Sequence, residues 1–558
     1  MSNAALYLHP DGYNTRTQAL MGRHSAGESF LRGYLRHADI DHHYFWNAAG
    51  RPHQELLDLV QGIEPLVKPQ TWIGRTHRRG LANPGVLNLP VPEIGNEAWH
   101  RWPLGPRTYS ICGITHTTAT ARAMQAVGQV ITSPTEAWDA LICTSHAVRA
   151  SVETELEAIR DYHAWQFGPR QRPEAQRATI PLGVNAGDFA TDPAQRKAWR
   201  EKLNIPEDGV VALYVGRFNP HSKMNPALMA IALERACQQT GKTIYWVASG
   251  WGDDALIKGG FHDQIRALCP SVEYREVDGR PADTRFSIWS VADFFISFSD
   301  NIQETFGLTP VEAMAAGLPC VVTDWDGYRD TVRDDLDGFR IATYSPRPGT
   351  GQDLSYAMAN NWIEYGAYVA AAAQLTAIDL DAAAKAISAL VENPELRRTM
   401  GERAKVQAFE VFDWSKIIPQ YQALWGELQA RRLSAPATIP PPRNLAENPW
   451  HLDPFRLFAS YPTEYLSSTT MVAWTPSLTV QAAQAILDSP LARLGRVNFP
   501  NAEEVGRMLA LLAAKPHMSA GDLAKAFPSD RQPFIERAVL WLAKFGVVCI
   551  HGHGGNLP

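Results

Sequence analysis

Short β-rich runs alternate with helical patterns along most of this chain, and they do so in two separate series. That order admits few folds, because a strand–helix–strand succession builds a parallel sheet covered by helices on both faces. The first series contains AALYLHP, a stretch read as a loop over residues 22–27, the helical ESFLRGYLRH, and later ALICTSH followed by AVRASVETELEAI. The second begins near Gly209 and runs through VVALYVGRF, the helical PALMAIALERACQQT, TIYWVASG, SVEYREV, DFFISFS and CVVTDW. Between them lies IPLGVNAGDFATDPAQRK, rich in turn formers, which places a boundary close to Asp192. The expected architecture is α/β, with two Rossmann-like, doubly wound domains over residues 1–191 and 192–433 facing each other across a cleft.

After a helix expected from Ser415 to about Arg432, the composition shifts to SAPATIPPPRNLAENPWHLDP. Proline cannot sustain a helix interior, so residues 434–478 are expected to form a linker or strap. Residues 479–558 follow as a separate, mainly helical module. MSAGDLAKAF, capped by Ser519, then FIERAVLWLAKF and the β-rich GVVCI occur in the order of a winged-helix-like unit. This module carries eight Lys or Arg against six Asp or Glu, too even a balance for the dense basic face that nucleic acid requires. Acceptor recognition or dimerisation is the expectation for it, and the whole chain, at a net charge of −6, points the same way.

Six scattered cysteines without a C-x-x-C pair disfavour both a disulfide framework and a cysteine zinc site, and read as reduced thiols. The opening MSNAALYLHPDGYN is broken by His9, Pro10 and Asp11, so no signal peptide is read there. The apolar stretch from Tyr365 is interrupted by Gln and Thr well short of the ~20 residues a spanning helix needs. A cytoplasmic protein without a transmembrane segment is expected.

The segment with most chemical content is NIQETFGLTPVEAMAAGLPCVVTDWDG at residues 301–327. It joins two buried strands through a loop and a helix start. Thr309, Pro310 and Glu312 read as a T-x-x-E capping pattern with proline in the first turn. Helix N-termini present unpaired N–H groups and partial positive charge, so the amides around Phe306, Gly307 and Leu308 suit a phosphate, and Gly307 permits close backbone approach. Glu304 and Glu312 are then placed to accept hydrogen bonds from hydroxyls on either side of it. Taken singly, Glu312 reads as an ordinary capping residue and Glu304 as a loop carboxylate. What favours a ligand site is GRFNPHSK, residues 216–223, after the first strand of the same series: Arg217 and Lys223 can meet a diphosphate from the other side.

These motifs resemble glycosyltransferase family 4, the retaining nucleotide-sugar transferases of GT-B fold. The resemblance covers about residues 1–430 and rests on the E-x7-E of Glu304 and Glu312, the run ETFGLTPVEAMAAGLPCVVTDWDG, the G-R-x5-K element beginning at Gly216, IPLGVNAGDF and the tail NPELRRTMGERA…FDWSKIIPQYQALW. It implies that Arg217 and Lys223 stabilise the departing diphosphate and that Glu304 and Glu312 contact donor sugar and ribose, with Gly216 and Thr309 in the same donor-binding elements. SICGITHTTA resembles the family segment whose histidine faces the sugar, implying His116, although a structural histidine is an equal reading. GRHSAGESF resembles a glycine-rich loop near the donor phosphate, with Ala26 where a first glycine often stands, so only Gly27 carries over. Residues 344–376 are an insertion relative to the family, suited either to lid the cleft or to make a subunit contact.

The implied reaction transfers a sugar from a UDP- or GDP-linked donor to a saccharide, lipid-linked or protein acceptor with retention of configuration, using no cofactor. Asp324-Trp325-Asp326 has the D-x-D form of some metal sites, but the cations and the helix terminus already offset the diphosphate charge, so no metal is expected. A homo-oligomer is compatible with all of this. The rival readings are a nucleotide-sugar epimerase of similar architecture and a non-catalytic adaptor working through the C-terminal module.

Overall fold

A computed structural model describes residues 2–13, 22–169, 173–252, 255–436, 448–494 and 499–551. The first series forms a seven-stranded sheet from β1 (Ala5–Leu8), β2 (His43–Asn47), β3 (Gln70–Gly74), β4 (Val86–Asn88), β5 (Ser110–Ile114), β6 (Ala140–Cys143) and β7 (Gln176–Thr179), in the order β3-β2-β1-β4-β5-β6-β7. The second forms a six-stranded sheet from β8 (Val210–Val215), β9 (Ile244–Gly250), β10 (Glu273–Asp278), β11 (Phe294–Ser297), β12 (Cys320–Thr323) and β13 (Gly338–Ile341), in the order β10-β9-β8-β11-β12-β13. Every pairing in both is parallel. The sequence reason is visible in β5, β6, β11 and β12, which are buried at every position, as strands covered on both faces must be. This is the expected pair of Rossmann-like domains of the GT-B architecture.

In each sheet the strand order reverses beside its first strand, at β1/β4 and at β8/β11, leaving a crevice at the carboxyl ends of those strands. The two sheets meet by these ends. Thr144, after β6, donates its hydroxyl to the Thr305 carbonyl at 3.3 Å, and Thr305 donates its own to the carbonyl of His116, after β5, at 3.3 Å.

The long helix Trp414–Ser434 returns to the first domain. The Trp414 indole donates to Ser29 Oγ at 2.8 Å, Tyr421 lies tilted against Phe30 at 5.2 Å between ring centroids, and Arg432 donates to the Arg107 carbonyl at 3.0 Å. At the other end of the chain order, the stretch expected as a loop over residues 22–27 is the first turn and a half of the helix Gly22–His37. Gly27 sits where that helix presses on the turn at Pro10–Gly12, and a Cβ there would lie 2.0 Å from the Gly12 carbonyl oxygen. Close helix-to-turn packing accounts for this glycine, and the loop read at residues 22–27 is corrected to a helix.

The insertion begins at β14 (Thr343–Tyr344), which pairs antiparallel with β15 (Ala377–Ile378), and carries the helices Gln352–Ala359 and Tyr365–Ala373 between them. Its second helix buries Val369 and Ala373.

Residues 449–558 make a second compact unit, and its start differs from the expected 479. Its three-stranded antiparallel sheet has the order β17 (His517–Ser519), β16 (Met471–Trp474), β18 (Val548–His551), so the central strand comes from the stretch expected to be linker. Proline-rich composition at residues 440–442 masked the strand thirty positions later; of the remaining expected linker, residues 437–447 lie outside the described ones, and Pro454–Leu457 form a short helix. Helices Val480–Leu487, Ala502–Ala514, Ala520–Lys525 and Gln532–Lys544 surround a core of Val472, Met508, Leu523, Ile535 and Leu542. No helix among the described residues is long and apolar enough to cross a membrane.

Candidate functional site

The crevice between β8 and β11 gathers most of the residues singled out in the sequence. After β8 the chain turns sharply: Asn219 Oδ1 accepts from the backbone N–H groups of His221 and Ser222, both at 3.0 Å, and the Asn219 carbonyl accepts from Lys223 N at 2.9 Å. This local turn, of the kind asparagine favours, aims Arg217 and Lys223 from one loop. Arg217 Nη2 donates to Ser222 Oγ at 3.3 Å. After β11 the fully buried Asn301 donates its side-chain amide to the His221 carbonyl and accepts from Gln303 N at 2.7 Å, so the two loops are bound to each other.

Across that junction Lys223 Nζ lies 3.0 Å from Glu304 Oε2. Burial alone would push the Glu304 carboxyl up, but the Lys223 cation, its hydrogen bond and the backbone N–H groups of Thr305 and Gly307 outweigh that and hold it below the usual range. Glu304 is therefore ionised at neutral pH. Glu312 has the opposite character: burial pushes its carboxyl up to about 7, only partly offset by Arg285 and Lys223.

The helix beginning this side of the crevice is Leu308–Ala315, and its N-cap is Gly307 at φ +84°, with no side-chain cap. The expected capping box is thus corrected: Thr309 is the second helical residue, Pro310 the third, and Glu312 lies beyond the reach of the cap. Proline at the third position forfeits an N–H that has no partner within a helix. A side chain at Gly307 would meet the Tyr328 ring at 2.1 Å, and Tyr328 shares a 3.0 Å hydrogen bond with Ser297 at the end of β11. Phe306 is buried against Phe412 at 6.0 Å between centroids, so it anchors the loop from below. Gly216 is at the mouth of β8, where its N–H bonds the Ser249 carbonyl at 3.0 Å.

The first domain contributes the opposing wall. His116 is half-buried and is drawn to the crevice by its carbonyl, through the Thr305 hydroxyl. Gly27 belongs to the packing at Gly12 described above. The two D-x-D carboxylates have separate surroundings: Asp324 Oδ1 lies 3.5 Å from Arg340 and 3.8 Å from Arg329, whereas Asp326, at φ +45°, adjoins Glu304, Asp330 and the Ser145 hydroxyl. Burial first, then those two carboxylates, pushes Asp326 up to about 8. No cluster of three or more His, Cys, Asp or Glu able to hold a metal occurs among the described residues.

Sequence reasoning missed Asp300, Asn301, Gln303 and Tyr365. Asp300 is buried at 2% exposure, accepts from Asn225 N at 3.2 Å, and has its carboxyl pushed up to about 7 by burial. A signal existed for the first two, since polar Asp300 and Asn301 directly follow the apolar strand DFFISFS. None existed for Tyr365, whose hydroxyl donates to Gln303 Oε1 at 2.8 Å from 62 positions away.

Comparison with known proteins places a match to the family model of glycosyl transferases group 1 at residues 195–348, which contain β8 to β14 of the second domain. Over 197 residues the chain is 26% identical to a lipopolysaccharide 1,2-N-acetylglucosaminetransferase of Salmonella typhimurium, covering 35% of this chain and 50% of that one. Over 174 residues it is 30% identical to D-inositol 3-phosphate glycosyltransferase 2 of Catenulispora acidiphila, covering 30% of this chain and 39% of that one. The chain thus spans half or less of the length of these curated relatives. Among solved structures, an Anabaena protein in complex with UDP-glucose matches at a TM-score of 0.48 and 15% identity, over 76% of this chain and 100% of that one. The sucrose-phosphate synthase of Thermosynechococcus elongatus matches at 0.46 and 16%, over 77% and 100%.

Proposed function

We propose that this chain is a retaining glycosyltransferase that moves a sugar from a nucleoside diphosphate, uridine- or guanosine-linked, to an acceptor hydroxyl without a metal ion. The observation that carries the reading is the convergence of Arg217, the Lys223–Glu304 pair and the start of the helix Leu308–Ala315 at the β8/β11 crevice, inside the segment that matches glycosyl transferases group 1. Breaking the bond from sugar C1 to phosphate oxygen builds negative charge on the diphosphate. Lys223, Arg217 and the helix N-terminus are fixed in advance where that charge grows, and this is the arrangement that lowers the barrier without reorganisation.

Glu304, held ionised by Lys223, is an acceptor of sugar hydroxyl hydrogen bonds rather than a proton donor. Glu312, one turn into the helix and free of any capping duty, receives the ribose hydroxyls. The acceptor attacks from the face the phosphate leaves, and the departing phosphate oxygen takes the acceptor proton, so no protein base is needed. His116 completes the sugar pocket from the first domain. Residues 449–558 act as a winged-helix-like module that recognises the acceptor or a protein partner.

Labelled UDP-, GDP-, ADP- and TDP-sugars, offered with candidate acceptors, test the reading. Transfer from a uridine or guanosine donor with retained configuration is expected, and Arg217→Ala and Lys223→Ala each lower turnover by about 10²-fold or more. The matching nucleotide at 100 times its dissociation constant stabilises the protein by about 2.7 kcal/mol. EDTA leaves the rate unchanged; complete loss restored by manganese would refute the metal-free mechanism. Near-normal rates in both cation variants sink the site assignment.

A further inference from the structure

Two loops bearing Arg217 and Glu304 are tied to a third element that the reaction as proposed does not use. The insertion between β14 and β15 sends Tyr365, the first residue of its second helix, to the crevice. The Tyr365 hydroxyl donates to Gln303 Oε1 at 2.8 Å; Gln303 Nε2 donates to the Ser222 carbonyl at 3.4 Å; and Arg217 Nη2 donates to Ser222 Oγ at 3.3 Å. The same phenol lies beside the Thr117 side chain and close enough to feel the Arg217 charge. Thr117 adjoins His116 on the first domain, so one hydroxyl is bonded to the donor loops and lies next to the opposing wall.

Packing holds the two ends of the Arg217 loop through the buried Phe218 and Met224, but leaves Pro220 and His221 between them beside a cavity. A cavity of about 240 Å³ separates Pro220, His221 and Asn225 from Phe261, from Ala370 of the insertion helix and from Gln374 just after it. Directional hydrogen bonds are left to set the position of Ser222 and, through it, of the guanidinium.

We infer that Tyr365 is a positioning residue that fixes Arg217 through Gln303 and Ser222, making the insertion a working part of the donor site. This rests on Arg217 being the leaving-group cation. Displacement of a catalytic group by about 1 Å costs up to ~10²-fold in rate, so an effect of about tenfold from loss of one relay bond is the expected size. Tyr365→Phe keeps the ring that packs the insertion and removes only the hydroxyl.

The test has two readouts. Hydrogen exchange over residues 216–223 is expected to quicken in Tyr365→Phe, with exchange in the helix Trp414–Ser434 unchanged; identical exchange in the 216–223 loop overturns the inference whatever the chain catalyses. In turnover, Tyr365→Phe lowers kcat about tenfold while KM for the donor moves by less than about threefold, and in an Arg217→Ala background the same substitution adds nothing beyond about twofold. A full additional tenfold loss in that background shows that Tyr365 acts independently of Arg217 and overturns the relay. If wild-type protein transfers no sugar at all, the functional reading fails, and the exchange comparison still decides the positioning role.

Discussion

Glu304 and Glu312 are the same residue eight positions apart, and their neighbours make them chemically opposite. Lys223 and two backbone N–H groups keep the first ionised, while burial with only distant cations lifts the second to about 7. Glu312 therefore binds a proton more tightly folded than unfolded, and between its ordinary value and about 7 the native state holds the extra proton. Stability from this group is present below that window and lost as pH rises through 7. Glu312→Gln, which cannot ionise, is expected to gain thermal stability over wild type at pH 8 compared with the same difference at pH 5, measured by unfolding at both values. Nucleotide affinity of this variant is expected to fall at the same time; a uniform stability loss with normal affinity would argue for a structural carboxyl instead. Glu304 shows the converse dependence: its carboxyl, held low by Lys223, contributes stability that is present above the ordinary carboxylate range and lost as pH falls through its lowered value, and Lys223→Ala removes the cation that holds it there.

Loops, helix starts and one crossing helix decide how those residues meet. The helix Leu308–Ala315 can begin where it does only because Gly307 takes φ +84° in contact with the Tyr328 ring. Gly307→Ala is expected to lose about 1–2 kcal/mol from the left-handed backbone alone, and more from the contact with Tyr328, which is anchored to Ser297. Urea unfolding measures that stability loss, and nucleotide titration tests whether the helix terminus holds the diphosphate; unaltered affinity would mean that it does not. The crossing helix Trp414–Ser434 has a separate duty: Trp414, packed on Gly33 and Gly183 and bonded to Ser29, fastens the chain's return to the first domain. Its apolar face was readable from FDWSKIIPQYQALW, because helical periodicity survives in the sequence. The loop read at residues 22–27 went the other way: Gly22, Ser25 and Gly27 weaken a helical pattern locally, and packing against Gly12 restores it.

At the scale of the molecule the two compact units, residues 1–448 and 449–558, are expected to fold apart from each other. A chain ending at residue 448 should retain nucleotide affinity and lose transfer to the natural acceptor. A fragment from 449 should fold by circular dichroism, whereas one from 479 should not, because it lacks β16, the strand to which both β17 and β18 are hydrogen-bonded. Folding of the shorter fragment would return the boundary to 479; unchanged acceptor transfer by the 1–448 chain would remove the module's proposed role. What the sequence determined by itself was whatever local pattern encodes: the two buried parallel sheets, since strands covered on both faces need unbroken apolar runs, the helices that cover them, Glu312 on one of those helices, and the loops at the strand ends where Arg217, Lys223 and Glu304 stand. Only the tertiary structure decided that Lys223 meets Glu304 across 81 positions, that Tyr365 reaches Gln303 across 62, and that Met471–Trp474 sits between strands far along the chain. Those are pairings between remote segments, set by sheet order and by which buried polar groups find partners, and no local period or composition records them.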